Sequence, residues 1–225
     1  MKRFWREVSV EDGEVRLDDR PVRTPGRAPL AIPYPRLTKA IAEEWRAVEG
    51  DIDPRAMPLT GLANAAIDRI APDPAPFAAG LAKYGESDLL CYRAESPAEL
   101  VARQQAAWDP LLDWAQRRYD VHFTVTAGII HAPQPAATIA RLAEAVAARN
   151  AFELAGLSPI VTTTGSLVAA LALLEGAADA ATVWRAAEVD EDWQAEQWGE
   201  DDLARRARDA HRADFDAGAR FLSLL

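Results

Sequence analysis

The spacing of apolar residues changes along the chain, from alternation in the first third to a helical period afterwards. Val15 and Leu17 alternate with charged residues, and the Asp12-Gly13 dipeptide before them is typical of tight hairpin turns. Short strands are therefore predicted at residues 4–10, 15–17, 22–24 and 30–32. We expect an antiparallel meander with one face in water.

A helical period begins at Pro35 and carries Leu37, Ile41 and Val48 on one face. A second helix is predicted at about residues 59–70. The proline-rich stretch 71–76 interrupts any regular element, because proline lacks the backbone N–H. The sequence thus predicts a β-rich N-terminal domain with one or two helices over residues 1–72, and a second domain over residues 73–225.

The second domain is predicted to be mostly helical, with helices near residues 135–148, 151–157, 165–175, 180–198 and 200–222. Helix starts are indicated by Asp73 before Pro74, by Ser96-Pro97 with Glu99, and by Asn150 with Glu153. Residues 122–130 are β-branched enough to predict a short strand or an extended link. The predicted fold class is α+β, a small antiparallel β-containing N-terminal domain followed by a mostly α-helical C-terminal domain.

Composition narrows the possible partners of this 225-residue chain. Its formal net charge of −10 argues against a nucleic-acid surface and against binding to an anionic membrane. The longest apolar run, 167–174, is far shorter than the about 20 residues that span a bilayer. The N-terminus lacks an apolar secretory signal. We expect a cytosolic protein that does not insert into membranes.

Residues that could carry out catalysis are scattered. His122, His131 and His211 lie on three separate segments, and no two histidines stand at metal-ligand spacing. Cys91, the single cysteine, has apolar neighbours and is expected in the core. Gly165-Ser166 lacks the second glycine of a nucleophile elbow. No catalytic residue, metal or cofactor is predicted.

Tryptophan, with seven copies, is more informative. If residues 184–198 form one helix, a single stripe joins Trp184, Glu191, Gln194 and Trp198. The indoles could pack inward while the polar groups bond within the core. Alternatively, the stripe could be a recognition face, since tryptophan is common at binding hot spots. The arginine- and aspartate-rich stretch 201–216 is similarly either a solvated outer helix or one wall of a groove for a partner.

Several short motifs carry a resemblance to a known family over nearly the whole chain. They are Leu17 to Val22, Thr24-Pro25, Glu44-Trp45, Met57-Pro58-Leu59-Thr60, Asp68, Asp88-Leu89-Leu90-Cys91-Tyr92, Trp108-Asp109-Pro110-Leu111, and Trp198-Gly199. In this order and at these separations, the sequence resembles the ATP synthase F1 assembly chaperones that bind the free alpha subunit.

The resemblance implies a function without catalysis or cofactor. Such a chaperone would shield the unassembled alpha subunit transiently until the beta subunit replaces it. In the family an acidic residue near the end of the chain is implicated, and it matches Asp190-Glu191, with Glu191 favoured. The predicted partner-binding residues are Glu191, Asp190, Gln194, Trp198 and Trp184.

The chain departs from its eukaryotic relatives in two respects. Those members often carry a histidine soon after the Trp-Gly pair, whereas Glu200-Asp201-Asp202 stands here. They also carry a mitochondrial presequence and act in the matrix. None is evident in this sequence, which fits a bacterial version in the cytoplasm.

Two other hypotheses remain at the level of sequence. One is a small enzyme with an active site in the cleft between the two domains, using Tyr84, Asp88 and Trp108. The other is a permanent subunit of a complex.

Overall fold

The structure is a computed structural model that describes residues 2–225. Its strands are β1 (Val8–Glu11), β2 (Glu14–Leu17), β3 (Arg20–Pro21), β4 (Tyr92–Arg93) and β5 (Thr126–Ala127). Its α-helices are α1 (Pro35–Arg46), α2 (Pro58–Ala65), α3 (Pro74–Ala82), α4 (Ala98–Tyr119), α5 (Ala136–Ala147), α6 (Ala151–Thr164), α7 (Leu167–Leu174), α8 (Ala180–Ala187), α9 (Val189–Trp198) and α10 (Asp202–Ser223). The predicted α+β class is confirmed.

An antiparallel sheet in the order β1-β2-β3 forms the N-terminal part. Asp12 and Gly13, both at positive φ, connect β1 to β2 as the sequence predicts. The predicted strands at 22–24 and 30–32 are wrong as regular strands, since this stretch pairs only through isolated bridges such as Arg23 with Pro29. Prolines interrupt the stretch, and each removes a backbone donor that a ladder would need.

Several motifs that carry the family resemblance contact one another through hydrogen bonds in the folded chain. The Glu44 carboxylate accepts hydrogen bonds from the backbone N–H groups of Leu59 and Thr60, each at 2.8 Å, and thereby caps α2. The Asp68 carboxylate accepts from the Thr24 hydroxyl at 2.6 Å and from the Gly26 N–H at 2.7 Å. These motif residues therefore hold the N-terminal part together.

Several helices of the C-terminal part begin or end at residues other than those predicted. The helix predicted at 151–157 extends to Thr164, with the predicted capping box of Asn150 and Glu153 in place. The capping box predicted at Ser96 is wrong, because Pro97 occupies the N-cap position and the serine makes no capping bond. Residues 122–130 are an extended link whose strand β5 pairs in parallel with β4.

The single helix predicted over 180–198 is also wrong. The chain leaves helical geometry at Glu188 (φ −98°, ψ 10°), and α8 and α9 are separate helices. Glu188 is 7 % exposed and its carboxylate pairs with Arg208 of α10. The buried side chains of both parts belong to one cluster that includes Trp108 and Phe215. The boundary between residues 72 and 73 stays a prediction.

Candidate partner-binding surface

The break at Glu188 separates the two tryptophans of the predicted stripe. Trp184 is 7 % exposed; its ring centroid lies 5.2 Å from that of Phe215, and the Arg212 guanidinium lies over it at 4.9 Å. Trp198, at the end of α9, is 78 % exposed. Trp184 is thus a core residue, as the inward-packing alternative has it, whereas Trp198 is presented to solvent.

The other predicted residues all lie on α9. Asp190 is half-buried and accepts a hydrogen bond of 2.6 Å from the side-chain amide of Gln104 on α4. Glu191 and Gln194 are exposed. Within residues 2–225 the Glu191 carboxylate makes no hydrogen bond or ion pair. Three acids in the first turn of α9 also suit the positive end of the helix dipole.

One open cleft, of about 530 Å³, lies between α9 and the N-terminal end of α4, and we call it the α4–α9 cleft. Asp190, Gln194 and Trp198 line it from α9, and Ile129 lines it from the extended link. Beside it, the Arg103 guanidinium lies 4.9 Å from the Trp193 ring centroid and pairs with Glu196 at 2.8 Å. These contacts brace α9 against α4 while Trp198 stays exposed.

A second cleft, of about 440 Å³, lies between α9 and α10 and adjoins the first at Leu89 and Asp190, and we call it the α9–α10 cleft. Its walls are the end of α6, the α8–α9 junction and the first half of α10. Glu191 and His211 line it, and so do Ala204 and Ala207. Glu191 and Trp198 also share a smaller neighbouring hollow of about 290 Å³. The first half of α10 is thus both a solvated helix and a groove wall.

Arg208 holds α9 to α10 by charge. Its guanidinium pairs with Glu188 and with Asp192, and it lies 3.8 Å from a carboxylate oxygen of Glu200. Burial raises the pKa of Glu188, and Arg208 opposes that shift by favouring the charged carboxylate. Because Val189 is the only buried residue within α9, polar contacts hold this helix on both sides: the Arg208 cluster to α10, and Gln104 and Arg103 to α4.

We expect Arg208→Ala to lower the free energy of unfolding by about 1–3 kcal/mol, since a buried carboxylate loses its partner. The matched control is Arg205→Ala on the same helix, whose partner Asp202 is exposed. That control should change stability by less than about 0.5 kcal/mol. Urea unfolding measures both, and equal effects would contradict the assigned role of Arg208.

Tyr84, Asp88 and Trp108, the residues of the enzyme hypothesis, do not converge on either cleft. Asp88 is fully buried and accepts backbone N–H bonds, and the Trp108 indole donates to the Ala186 carbonyl at 2.6 Å. Burial raises the pKa of Cys91 to about 12, as expected for an inert core thiol. Among the described residues, no group of three or more histidine, cysteine or acidic side chains could hold a metal ion.

Within residues 2–225, no helix combines the length and the apolar character that crossing a bilayer demands.

The surface around α9 combines open clefts, an exposed indole and an unpaired carboxylate, and tryptophan is common at protein-binding hot spots. This surface and the α+β fold fit a protein that binds another protein. A sequence model of the family described as "ATP12 chaperone protein" matches residues 2–116. The chain belongs to the ATP12 chaperone family, which is the kind of assembly chaperone that the sequence resemblance predicts.

Individual relatives agree with this assignment over the whole chain. The crystal structure of Atp12 from Paracoccus denitrificans superposes with a TM-score of 0.93 at 43 % identity, covering 99 % of this chain and 97 % of that one. The Atu1473 protein from Agrobacterium tumefaciens gives 0.92 at 39 % identity, covering 99 % and 85 %. "Protein atp12, mitochondrial" from Schizosaccharomyces pombe is 24 % identical, covering 95 % of this chain and 77 % of that protein.

Proposed function

We propose that this protein captures the unassembled alpha subunit of the ATP synthase F1 sector in the bacterial cytoplasm and releases it when the beta subunit arrives. The observation that carries the proposal is the placement of Glu191 and Trp198 on α9, both exposed and both bordering open clefts. The function requires no cofactor and no catalytic group.

The physical basis is the surface that a ring subunit exposes before assembly. Such a subunit leaves large apolar interfaces in water and aggregates through them. A chaperone that covers them must also let go, so its affinity needs to be intermediate. An aromatic anchor such as Trp198, surrounded by polar and charged groups such as Glu191 and Gln194, can contact an apolar interface with intermediate affinity.

We expect Glu191→Lys to weaken capture of the alpha subunit at least about tenfold and to leave the fold intact. The fold should survive because the Glu191 carboxylate is exposed and has no ion-pair partner within residues 2–225. The measurement is co-purification of the alpha subunit, expressed without beta, with the tagged chain, together with the amount of alpha that stays soluble.

Glu49→Lys is the matched control, because Glu49 is an exposed carboxylate in the loop after α1. It makes the same change in net charge and should capture the alpha subunit as the parent does. If Glu191→Lys unfolds, Glu191 is a structural residue. If it captures as well as Glu49→Lys, the assignment of Glu191 to the binding surface is wrong.

Transient action distinguishes this function from that of a permanent subunit. Adding beta to the complex of the chain with alpha should release the chain. Recovery of the chain at fixed stoichiometry in the assembled F1 sector would contradict the proposal.

A further inference from the structure

The extended link between α4 and α5 turns at residues 128–131, which we call the tip, and hydrogen bonds fix the tip in place. Strand β5 in this link pairs in parallel with β4, and the Gly128 N–H donates to the Arg93 carbonyl at 2.9 Å. On the far side of the tip, the Tyr92 hydroxyl and His131 Nδ1 lie 3.0 Å apart. Residues 128–131 are therefore tied at both ends to the same short strand.

The base of the link is fastened as well. The buried Gln134 side chain donates to the Thr124 carbonyl at 2.8 Å and accepts from the Thr124 N–H at 2.9 Å. The Thr138 hydroxyl donates to the His122 carbonyl at 2.6 Å. Because these bonds replace those of regular structure, the link has a defined path although most of it is neither helix nor strand.

At the tip, this framework presents two isoleucines to water. Ile129 is 100 % exposed and Ile130 is 80 % exposed. Single exposed apolar residues are common, but two adjacent ones on a loop held by hydrogen bonds form an apolar patch, and such patches mark interaction sites. Ile129 also lines the α4–α9 cleft, which Trp198 lines from α9. The cleft thus carries an exposed apolar side chain from each of two elements.

The charges that line this cleft are predominantly negative. Glu95 and Asp190 line it without an ion-pair partner among the described residues. Arg93 also lines it, but its guanidinium is buried, lies over the Trp108 ring at 4.9 Å, and pairs through Nη2 with Asp109 at 2.6 Å. Its Nε and Nη1 atoms have no hydrogen-bond partner, but they are buried away from the solvent in the cleft. The solvent-accessible charge without an ion-pair partner is therefore that of carboxylates, of which Asp190 is half-buried and accepts a hydrogen bond from the neutral Gln104 amide.

We infer that the α4–α9 cleft takes a segment of the captured subunit in which a bulky apolar side chain stands next to lysine or arginine. The apolar side chain inserts between Ile129 and Trp198, and the neighbouring cations pair with Glu95 and Asp190. This inference rests on the proposed function and adds the tip at residues 128–131 as a second element of the binding surface. It also states the chemistry of the segment that the surface selects.

The test is the double variant Ile129→Ser/Ile130→Ser, with the isolated alpha subunit as the probe. We expect its thermal unfolding to match that of the parent, because both side chains lie in water. Its affinity for alpha should fall at least about tenfold, because the tip loses its apolar contact. Phe4→Ser is the matched control, since it removes an exposed apolar side chain outside the cleft, and it should bind normally.

A second measurement addresses the charges. Raising the salt concentration should weaken binding of alpha to the parent, and less so to Glu95→Gln/Asp190→Asn, since ion pairs at an open cleft are screened. Salt-independent binding, or equal salt dependence of the two proteins, would overturn the basic character assigned to the segment.

The outcomes separate the two proposals. If the parent binds alpha and the double isoleucine variant binds it equally well, the inference about the cleft is wrong and the proposed function stands. If the parent itself fails to bind alpha, the proposed function is wrong and the inference fails with it. A parent that is dimeric, with a monomeric double variant, would assign the tip to self-association and would also overturn the inference.

Discussion

Replacing Asp88 with alanine should lower the free energy of unfolding by about 2–4 kcal/mol. The Asp88 side chain is fully buried, and its carboxylate accepts hydrogen bonds from the backbone N–H of Val168 in the first turn of α7, at 2.9 Å, and from that of Leu90, at 3.1 Å. Alanine leaves both donors buried without an acceptor, and it also leaves a cavity. Urea unfolding followed by tryptophan fluorescence measures the loss.

The contribution of Asp88 to the free energy of unfolding should depend on pH, because its carboxyl group titrates differently in the folded and the unfolded chain. Burial raises the pKa of Asp88 to about 6, although the bond from the Val168 N–H opposes the shift. The folded protein therefore holds a proton at pH values where the unfolded chain, with a pKa near 3.8, has released it. The stability contributed by Asp88 consequently increases as the pH falls through about 6 and is lost as the pH rises through it.

Asp88→Asn tests the direction of this pH dependence, because asparagine has nearly the same side-chain shape as aspartate and does not titrate. The difference in unfolding free energy between the parent and Asp88→Asn should move in favour of the parent as the pH is lowered from 7 toward 4. A difference that stays constant with pH, or that moves the other way, would contradict the assignment of a buried carboxylate with a raised pKa.

Gly218→Leu should destabilise the protein by about 2–3 kcal/mol through the contact between α6 and α10. A Cβ atom on Gly218 would lie 2.7 Å from Cγ of Pro159 and 2.8 Å from the carbonyl oxygen of Gly156. The second of these is a backbone atom, so the helices would have to separate.

Gly80→Ala provides the control within a helix. Gly80 lies in α3, and a Cβ atom at this position would meet nothing within 4 Å apart from its chain neighbours and the backbone of its own helix, so alanine should stabilise the protein by about 0.5–1 kcal/mol. Thermal unfolding of both variants separates the effect of close packing from that of helix propensity. If Gly218→Leu unfolds at the same temperature as the parent, the close approach of α6 and α10 is wrong.

The motifs that reveal the family are largely concerned with stability. Glu44 caps α2, Asp68 clamps the segment at Thr24, and Asp88 fastens α7. Such residues identify the fold because few other side chains can replace them. The candidate binding residues at Glu191 and Ile129 are exposed, and much less in the structure constrains them.

Local signals in the sequence determined the elements whose geometry depends on neighbouring residues. The Asp12-Gly13 hairpin and the capping box of Asn150 are examples, since each involves bonds within a few positions along the chain. The motifs likewise determined the family and the α+β class. They also directed attention to α9, with Asp190, Glu191, Gln194 and Trp198.

Tertiary structure alone decided which of these groups are exposed to solvent. Periodicity treats residues 184–198 as one helix, but the ion pair of Glu188 with Arg208, on a distant helix, accompanies a break that leaves Trp184 buried and Trp198 exposed. Residues 122–130 have the apolar, β-branched composition of a strand. Only the bonds of this link to Arg93 and Gln134, together with the bond of the next residue, His131, to Tyr92, place Ile129 and Ile130 in water. Burial depends on contacts between segments far apart in the chain, which local patterns of residues do not encode.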